Sequence, residues 1–283
     1  MIEALPLTAA QLAQQLPSVF RYAWPLVGLG VGLEWLATRH HHPRAAGRYE
    51  RRDVLASVGI GLGTLLVNSL LHSLTLLVLL ACHQAAPWRL PTTWWAWGLA
   101  YLGVDLSNYV AHYVAHKQRL WWATHVTHHS SEHLNLTTAF RNSWVQYLKI
   151  VFFIPLFLSG IEPLVLFTAY QLDLLYQFWI HTEAIGKLPR WVEFVFVMPS
   201  HHRVHHASNA LYLDKNFGTT LILWDRLFGT FQAETEPPKY GLTKPVRSYN
   251  LVYLNFHEWA ALGRDLRRAR TLPQALKVLF GPP

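Results

Sequence analysis

Between Val54 and Cys82 the chain runs for 29 residues without a single charged side chain. About 20 apolar residues carry a helix across the hydrocarbon core of a bilayer, where every backbone polar group must be satisfied within the segment. The run therefore predicts a membrane helix and an all-α protein. Other apolar stretches agree. Residues 20–38 hold one acid, Glu34, and residues 94–110 are broken only by Asp105. Residues 144–159 and 163–180 flank an Ile161-Glu162-Pro163 turn and read as a helical hairpin, each half at the short limit for a full crossing. The first apolar run has no basic region before it and no small-residue cleavage site after it, so it reads as a retained helix and not as a signal peptide.

Composition supports the same class. Of 283 residues, 52% are apolar and 14% charged, against about 25% charged in an average soluble domain. Disorder and collagen are excluded. The one cysteine, Cys82, excludes an intramolecular disulfide and any cysteine-built zinc or iron–sulfur site. The net charge is +8, and 21 of the 24 Lys and Arg lie in segments 39–53, 117–141 and 181–283. Five crossings, or three plus a re-entrant hairpin, put all three segments on one side, which the positive-inside rule makes cytoplasmic. The bilayer accounts for the charge, and no nucleic-acid partner is expected. Residues 256–279 read as one amphipathic helix with Arg264, Arg267, Arg268 and Arg270 near one face, either solvated or lying on anionic lipid.

The 17 histidines carry the chemistry. His112 and His116 are four residues apart, which places both imidazoles on one helix face. His125, His128 and His129 converge in the same way, and His202, His205 and His206 repeat the HxxHH spacing. His181 ends the last apolar run, and His201 competes with His202 for the register. Neutral imidazoles have no reason to gather at the ends of membrane helices unless a metal holds them. Imidazole suits zinc, copper, iron and nickel, but a zinc site takes about four ligands, and nine serve two metals. The lack of thiolate suits oxidative chemistry. His40, His41 and His42 in the Arg-rich loop read as solvated, and His133 as a weak ligand candidate. Metal-bound histidines usually donate their other N–H to a carboxylate or carbonyl. Asp105, Glu132, Glu183 and Asp225 are the acids placed for this, with Asn135, Asn216 and Arg141 behind them. Asp214-Lys215 and Trp224-Asp225-Arg226 read as cap structure.

The stretches DLSNYVAHYVAH (105–116), LWWATHVTHHSSEHLNLTTAFR (120–141), FWIHTEAIG (178–186), PSHHRVHHASNALYLDKNFGTTLILWDRLFGTF (199–231) and YGLTKPV (240–246) resemble the fatty acid hydroxylase / sterol desaturase superfamily, in its alkylglycerol monooxygenase-like branch. The resemblance spans roughly residues 95–255. It implies a small bundle of transmembrane helices capped by a cytosolic helical domain that holds the metals; with the apolar runs this predicts about four or five membrane helices, N-terminal membrane helices over 1–92, a catalytic domain over 93–255 and the amphipathic helix over 256–283. It implies two irons held by His112, His116, His125, His128, His129, His181, His202, His205 and His206, with zinc as a substitute in purified protein. It implies O2-dependent hydroxylation or desaturation of a lipid C–H bond with two external electrons. No flavin, haem or nicotinamide motif is present, so a separate electron donor or reductant is expected, and the branch adds a pterin as a candidate. Asp105, Glu132 and Glu183 are the expected catalytic carboxylates. The chain departs from the pattern at Tyr113, where a basic residue is usual, and at Lys117, where the alkylglycerol enzymes carry an acid. Rival readings are an acyl-lipid desaturase of the other membrane histidine-box family and a zinc-dependent membrane hydrolase.

Overall fold

The computed structural model describes residues 19–39 and 49–283, and the side chains of all of these except 72 and 73. His40, His41, His42 and segment 1–18 lie outside the described residues. Seven helices frame the fold: α1 (Val19–Thr38), α2 (Arg51–Ala85), α3 (Trp94–Lys117), α4 (Pro163–Trp179), α5 (Pro199–His206), α6 (Leu251–Arg268) and α7 (Leu272–Phe280). Short helical segments of four to seven residues lie between them. Among the described residues there is no strand, only two isolated bridges, Phe196 with Leu221 and Ala207 with Tyr240.

α2 starts where the Glu50 carboxylate accepts the Asp53 N–H at 2.7 Å, and it stops as the chain turns extended at Ala86, before Pro87. Its 35 residues make a rod of about 52 Å. One face admits close neighbours through glycine. A Cβ at Gly63 would collide with the Trp144 indole, whose Nε1 donates to the Ile60 carbonyl at 3.0 Å. Ala100 and Val104 of α3 pack on Val165, Leu166 and Ala169 of α4, with Leu79 of α2 in the same core. Leu254 of α6 closes on Ala56 and Ile60 of α2.

Among the described residues one stretch, Arg51–Leu71 of α2, is long and apolar enough to cross a membrane. Only 22% of its most apolar window is buried within the protein, and Leu55, Leu62, Leu66 and Leu70 face outward, unlike a soluble core helix. On length and composition this is the one clear candidate among the described residues, where four or five membrane helices are expected. Arg21 and Glu34 interrupt α1, Asp105 and two histidines α3, and Asp173 with two glutamines α4.

Two expected helices are broken. Residues 144–159 form a 3₁₀ segment, Gln146–Phe152, and then a single turn, Ile154–Leu158, with Pro155 at its start. β-branched and aromatic residues are poor helix formers, and proline has no N–H to continue a helix. Residues 256–279 are not one helix either. α6 begins earlier, capped by Asn250, and the chain breaks at 269–271, where Thr271 caps α7 and Pro273 occupies its first turn.

Arg141 and Asp53 tie α2 to the histidine-bearing turn. Arg141 donates to Asp53 at 2.7 Å, with both side chains at most 3% exposed, and also to Ser57 and Ser130. Removing one partner of a buried pair costs about 3–5 kcal/mol. Arg141→Met is expected to lower the thermal unfolding midpoint in detergent by several degrees; an unchanged midpoint contradicts this anchoring role.

Candidate metal centre

α3 ends with His112 and His116 one turn apart. The chain then turns extended at Gln118, reverses through Arg119–Trp122, and delivers His125, His128 and His129 around the short Val126–His129 helix. His181 follows the end of α4, and α5 supplies His202, His205 and His206. These nine imidazoles form two groups. One is His112, His116, His125, His129 and His205; the other is His128, His181, His202 and His206. Within each group the ligand nitrogens lie within 4.8 Å of one another.

The nitrogens point at shared centres. Nε2 atoms face each other at 3.1 Å between His128 and His181, 2.8 Å between His181 and His202, and 3.0 Å between His202 and His206. In the larger group His129 Nε2 lies 3.2 Å from His125 Nε2 and from His205 Nε2. With metal–nitrogen bonds of about 2.1 Å, ligands at right angles lie about 3 Å apart, so the spacing fits neighbouring positions around one ion. His112 Nε2 and His116 Nε2 are buried and meet no hydrogen-bond partner within the protein, which fits lone pairs reserved for a metal. His201 stands outside both groups: its Nδ1 accepts the Met198 N–H, and its ring lies against Phe231.

One loop orients much of the larger group. His112 Nδ1 meets the Phe217 carbonyl at 2.8 Å, His205 Nδ1 meets the Lys215 carbonyl at 3.0 Å, and His116 Nδ1 faces the Asp214 carboxylate at 3.6 Å. Such contacts make Nδ1 the protonated nitrogen and leave Nε2 free. The loop reverses through Asp214 and Asn216, both left-handed at φ near +58° and +57°, a conformation Asp and Asn tolerate better than most residues. Asp225 pins it, accepting the Phe217 and Gly218 N–H groups at 2.8 and 2.7 Å. A side chain at Gly218 would strike the Leu221 carbonyl and Asp225.

The expected carboxylates stand outside both groups. Asp105 is fully buried and accepts from the Thr219 hydroxyl, the Thr220 and Leu221 N–H groups and the Trp224 indole at 2.7–3.2 Å. It reaches the imidazoles only through that loop. Glu132 is exposed, and Glu183 accepts from the Tyr240 hydroxyl at 2.9 Å. Asn135 caps the 136–140 turn, and Asn216 donates to the His201 and Gln232 carbonyls.

Four residues escaped the sequence reading. Asp173, hidden in an apolar run, shares Thr219 with Asp105 and accepts from Gln177, whose carbonyl orients His181 Nδ1 at 2.7 Å. Glu34 accepts from Thr182, beside His181, and from the Leu136 N–H. Lys149 brings its Nζ to 3.4 Å from His125 Nδ1. Asp214 read as cap structure because only the loop fold brings it to His116. A lone charge within an apolar run was the available signal for Asp173, Glu34 and Lys149.

Residues 97–230 match the fatty acid hydroxylase family. The chain is 38% identical over 256 residues to alkylglycerol monooxygenase of Homo sapiens, covering 88% of this chain and 56% of that protein. It is 42% identical over 198 residues to the Xenopus tropicalis alkylglycerol monooxygenase, covering 70% and 43%. It is 31% identical over 159 residues to an ornithine lipid hydroxylase of Rhizobium tropici, covering 50% and 45%. The chain thus spans about half the length of the curated relatives it matches. No solved structure matches it.

Burial, and then the charges of neighbouring imidazoles, hold His128, His129, His202 and His206 well below the usual histidine range, and burial pushes His181 down to about 4. For Asp214, burial favours the neutral acid, but the facing His116 imidazole and the Lys117 ammonium that donates to it outweigh burial and hold the carboxyl at about 2. The cluster is therefore neutral and ready to ligate at neutral pH. In the metal-free protein the unfolded chain takes up protons below about pH 6.5 that the folded site refuses. Stability therefore falls as pH drops from there toward 4. Thermal unfolding of metal-free protein at about pH 7 and about pH 5 checks this: the midpoint is expected to be lower at the acid pH.

Proposed function

Residues 97–230 are a fatty acid hydroxylase domain, and on that premise we propose that the chain is a membrane-bound di-iron monooxygenase that hydroxylates a C–H bond of a lipid. The observation that carries the proposal is the pair of all-imidazole groups meeting at nitrogen spacings of about 3 Å. Bound there, iron supplies activation of O2, and the net change is R–H + O2 + 2 e⁻ + 2 H⁺ giving R–OH + H2O. The named relatives act, by their names, on alkylglycerols and ornithine lipids, which supports a lipid substrate. Hydroxylation is favoured over desaturation because both relatives are named for oxygen insertion.

The chain's own groups hold and shield. The 214–217 loop and Gln177 fix tautomers, so Nε2 lone pairs converge without rearrangement on metal binding. Burial of seven of the nine imidazoles keeps bulk water from the site. A zinc hydrolase is disfavoured, because it needs about three protein ligands and a general base at the metal, and both Glu132 and Glu183 stand outside the groups.

The membrane reading rests on the outward-facing leucines of α2 and on the apolar faces of α1, α3 and α4. We place the histidine centre on the cytoplasmic side with the basic segments, where an electron-donor protein or a pterin would deliver reducing equivalents. On this reading 1–92 serves as the N-terminal membrane part and 93–255 as the catalytic unit.

Detergent-purified protein from iron-replete cells is expected to hold about two irons per chain, since nine imidazoles serve two ions at four or five each. His128→Ala with His205→Ala should remove both. Lipid extracts from expressing cells should contain a product one oxygen heavier that the double variant lacks. A single tight zinc with no iron, or a product short of two hydrogens, overturns this reading.

A further inference from the structure

The two histidine groups differ in how they are held. The larger offers five imidazoles and the smaller four. In the larger group the loop hydrogen-bonds Nδ1 of two members, through the Phe217 carbonyl for His112 and the Lys215 carbonyl for His205, and sets the Asp214 carboxylate 3.6 Å from His116 Nδ1 as a facing charge. That loop is in turn fixed by Asp225 and Asp105. In the smaller group His181 alone is held in this way, by the Gln177 carbonyl. His128 Nδ1 and His202 Nδ1 are buried and meet no hydrogen-bond partner within the protein.

An oriented, hydrogen-bonded imidazole is a better ligand, and losing one outer partner costs about 10–100-fold in metal affinity. The Lys149 ammonium near His125 opposes a cation in the larger group, and the Asp214 carboxylate facing the same group offsets it. From this asymmetry we propose that the two metal positions are inequivalent: the five-histidine position binds tightly, and the four-histidine position, formed by His128, His181, His202 and His206, exchanges its metal readily. Asp214 is a positioning residue for the tight one. This inference rests on the two-metal reading above. It makes the four-histidine ion the one that limits how fully metallated the protein is, and the one that a competing metal such as zinc replaces first.

The test follows metal release rather than turnover. Protein loaded with ferrous iron is mixed with excess ferrozine, and iron release is followed by absorbance. The wild type is expected to release iron in two phases of about one iron each, differing in rate by about tenfold or more. His206→Ala should abolish the fast phase and leave the slow phase unchanged. Asp214→Ala should speed the slow phase by about tenfold and leave the fast phase unchanged, whereas a general loosening of the fold would speed both. Asp214→Asn, which keeps the shape of the side chain, should lie between the two. Release of two irons in one phase, or loss of the slow phase in His206→Ala, overturns the inequivalence while leaving the two-metal reading in place. Saturation at one iron or none overturns the two-metal reading itself.

Discussion

The fold is organised around the cost of holding nine neutral imidazoles in close contact away from water. Burying a polar nitrogen without a partner costs on the order of 1–3 kcal/mol. Here His112, His116, His128 and His202 each bury one such nitrogen. The structure bears this because the surrounding elements leave the rings no alternative. α3 and α5 present histidines at helical spacing, the 119–129 reversal inserts three more, and the end of α4 closes the smaller group with His181.

Behind the rings lies a layer of buried acids that face backbone and hydroxyl groups rather than cations. Asp105, Asp173 and Asp225 are each fully buried. Together they collect the Thr219 and Thr220 hydroxyls and the N–H groups of residues 217, 218, 220 and 221. The carbonyls of the same loop point the other way, at His112 and His205. The loop thus acts as a two-sided connector, with acids taking its N–H groups and imidazoles taking its C=O groups. Asp105, Asp173 and Asp225 thereby keep a short irregular segment in one conformation.

Which histidines gather was legible in the sequence, because much of their spacing is local. HxxxH on α3 and HxxHH on α5 set which rings share a helix face, whereas His125 precedes the short Val126–His129 helix and is placed by the chain reversal. How the nine divide between two groups was not legible. His128 and His129 are adjacent residues, yet they belong to different groups, and that split depends on where α5 and the end of α4 arrive. Asp214 was hidden for a similar reason: its contact with His116 needs a chain reversal through two left-handed residues. Hydropathy misled at 144–159, where apolar character is real but Pro155 and a β-branched and aromatic run prevent a continuous helix. It also hid Asp173, Glu34 and Lys149, since one charge hardly alters the average over a long apolar window.

The Arg141–Asp53 pair joins two distant scales. Asp53 lies in the first turn of the helix with the long apolar stretch, and the Ser131 hydroxyl, two residues past His129, shares its carboxylate at 2.7 Å. The histidines are therefore moored to the charged end of that stretch and not to its middle. With the stretch set in a bilayer, the centre stands at a fixed height, at the waterline. On the proposed lipid-oxygenase reading, a hydrocarbon tail would come to the centre by rising out of its leaflet, and the height of the mooring, more than the breadth of any groove, would act as a ruler that chooses which carbon along the tail is met.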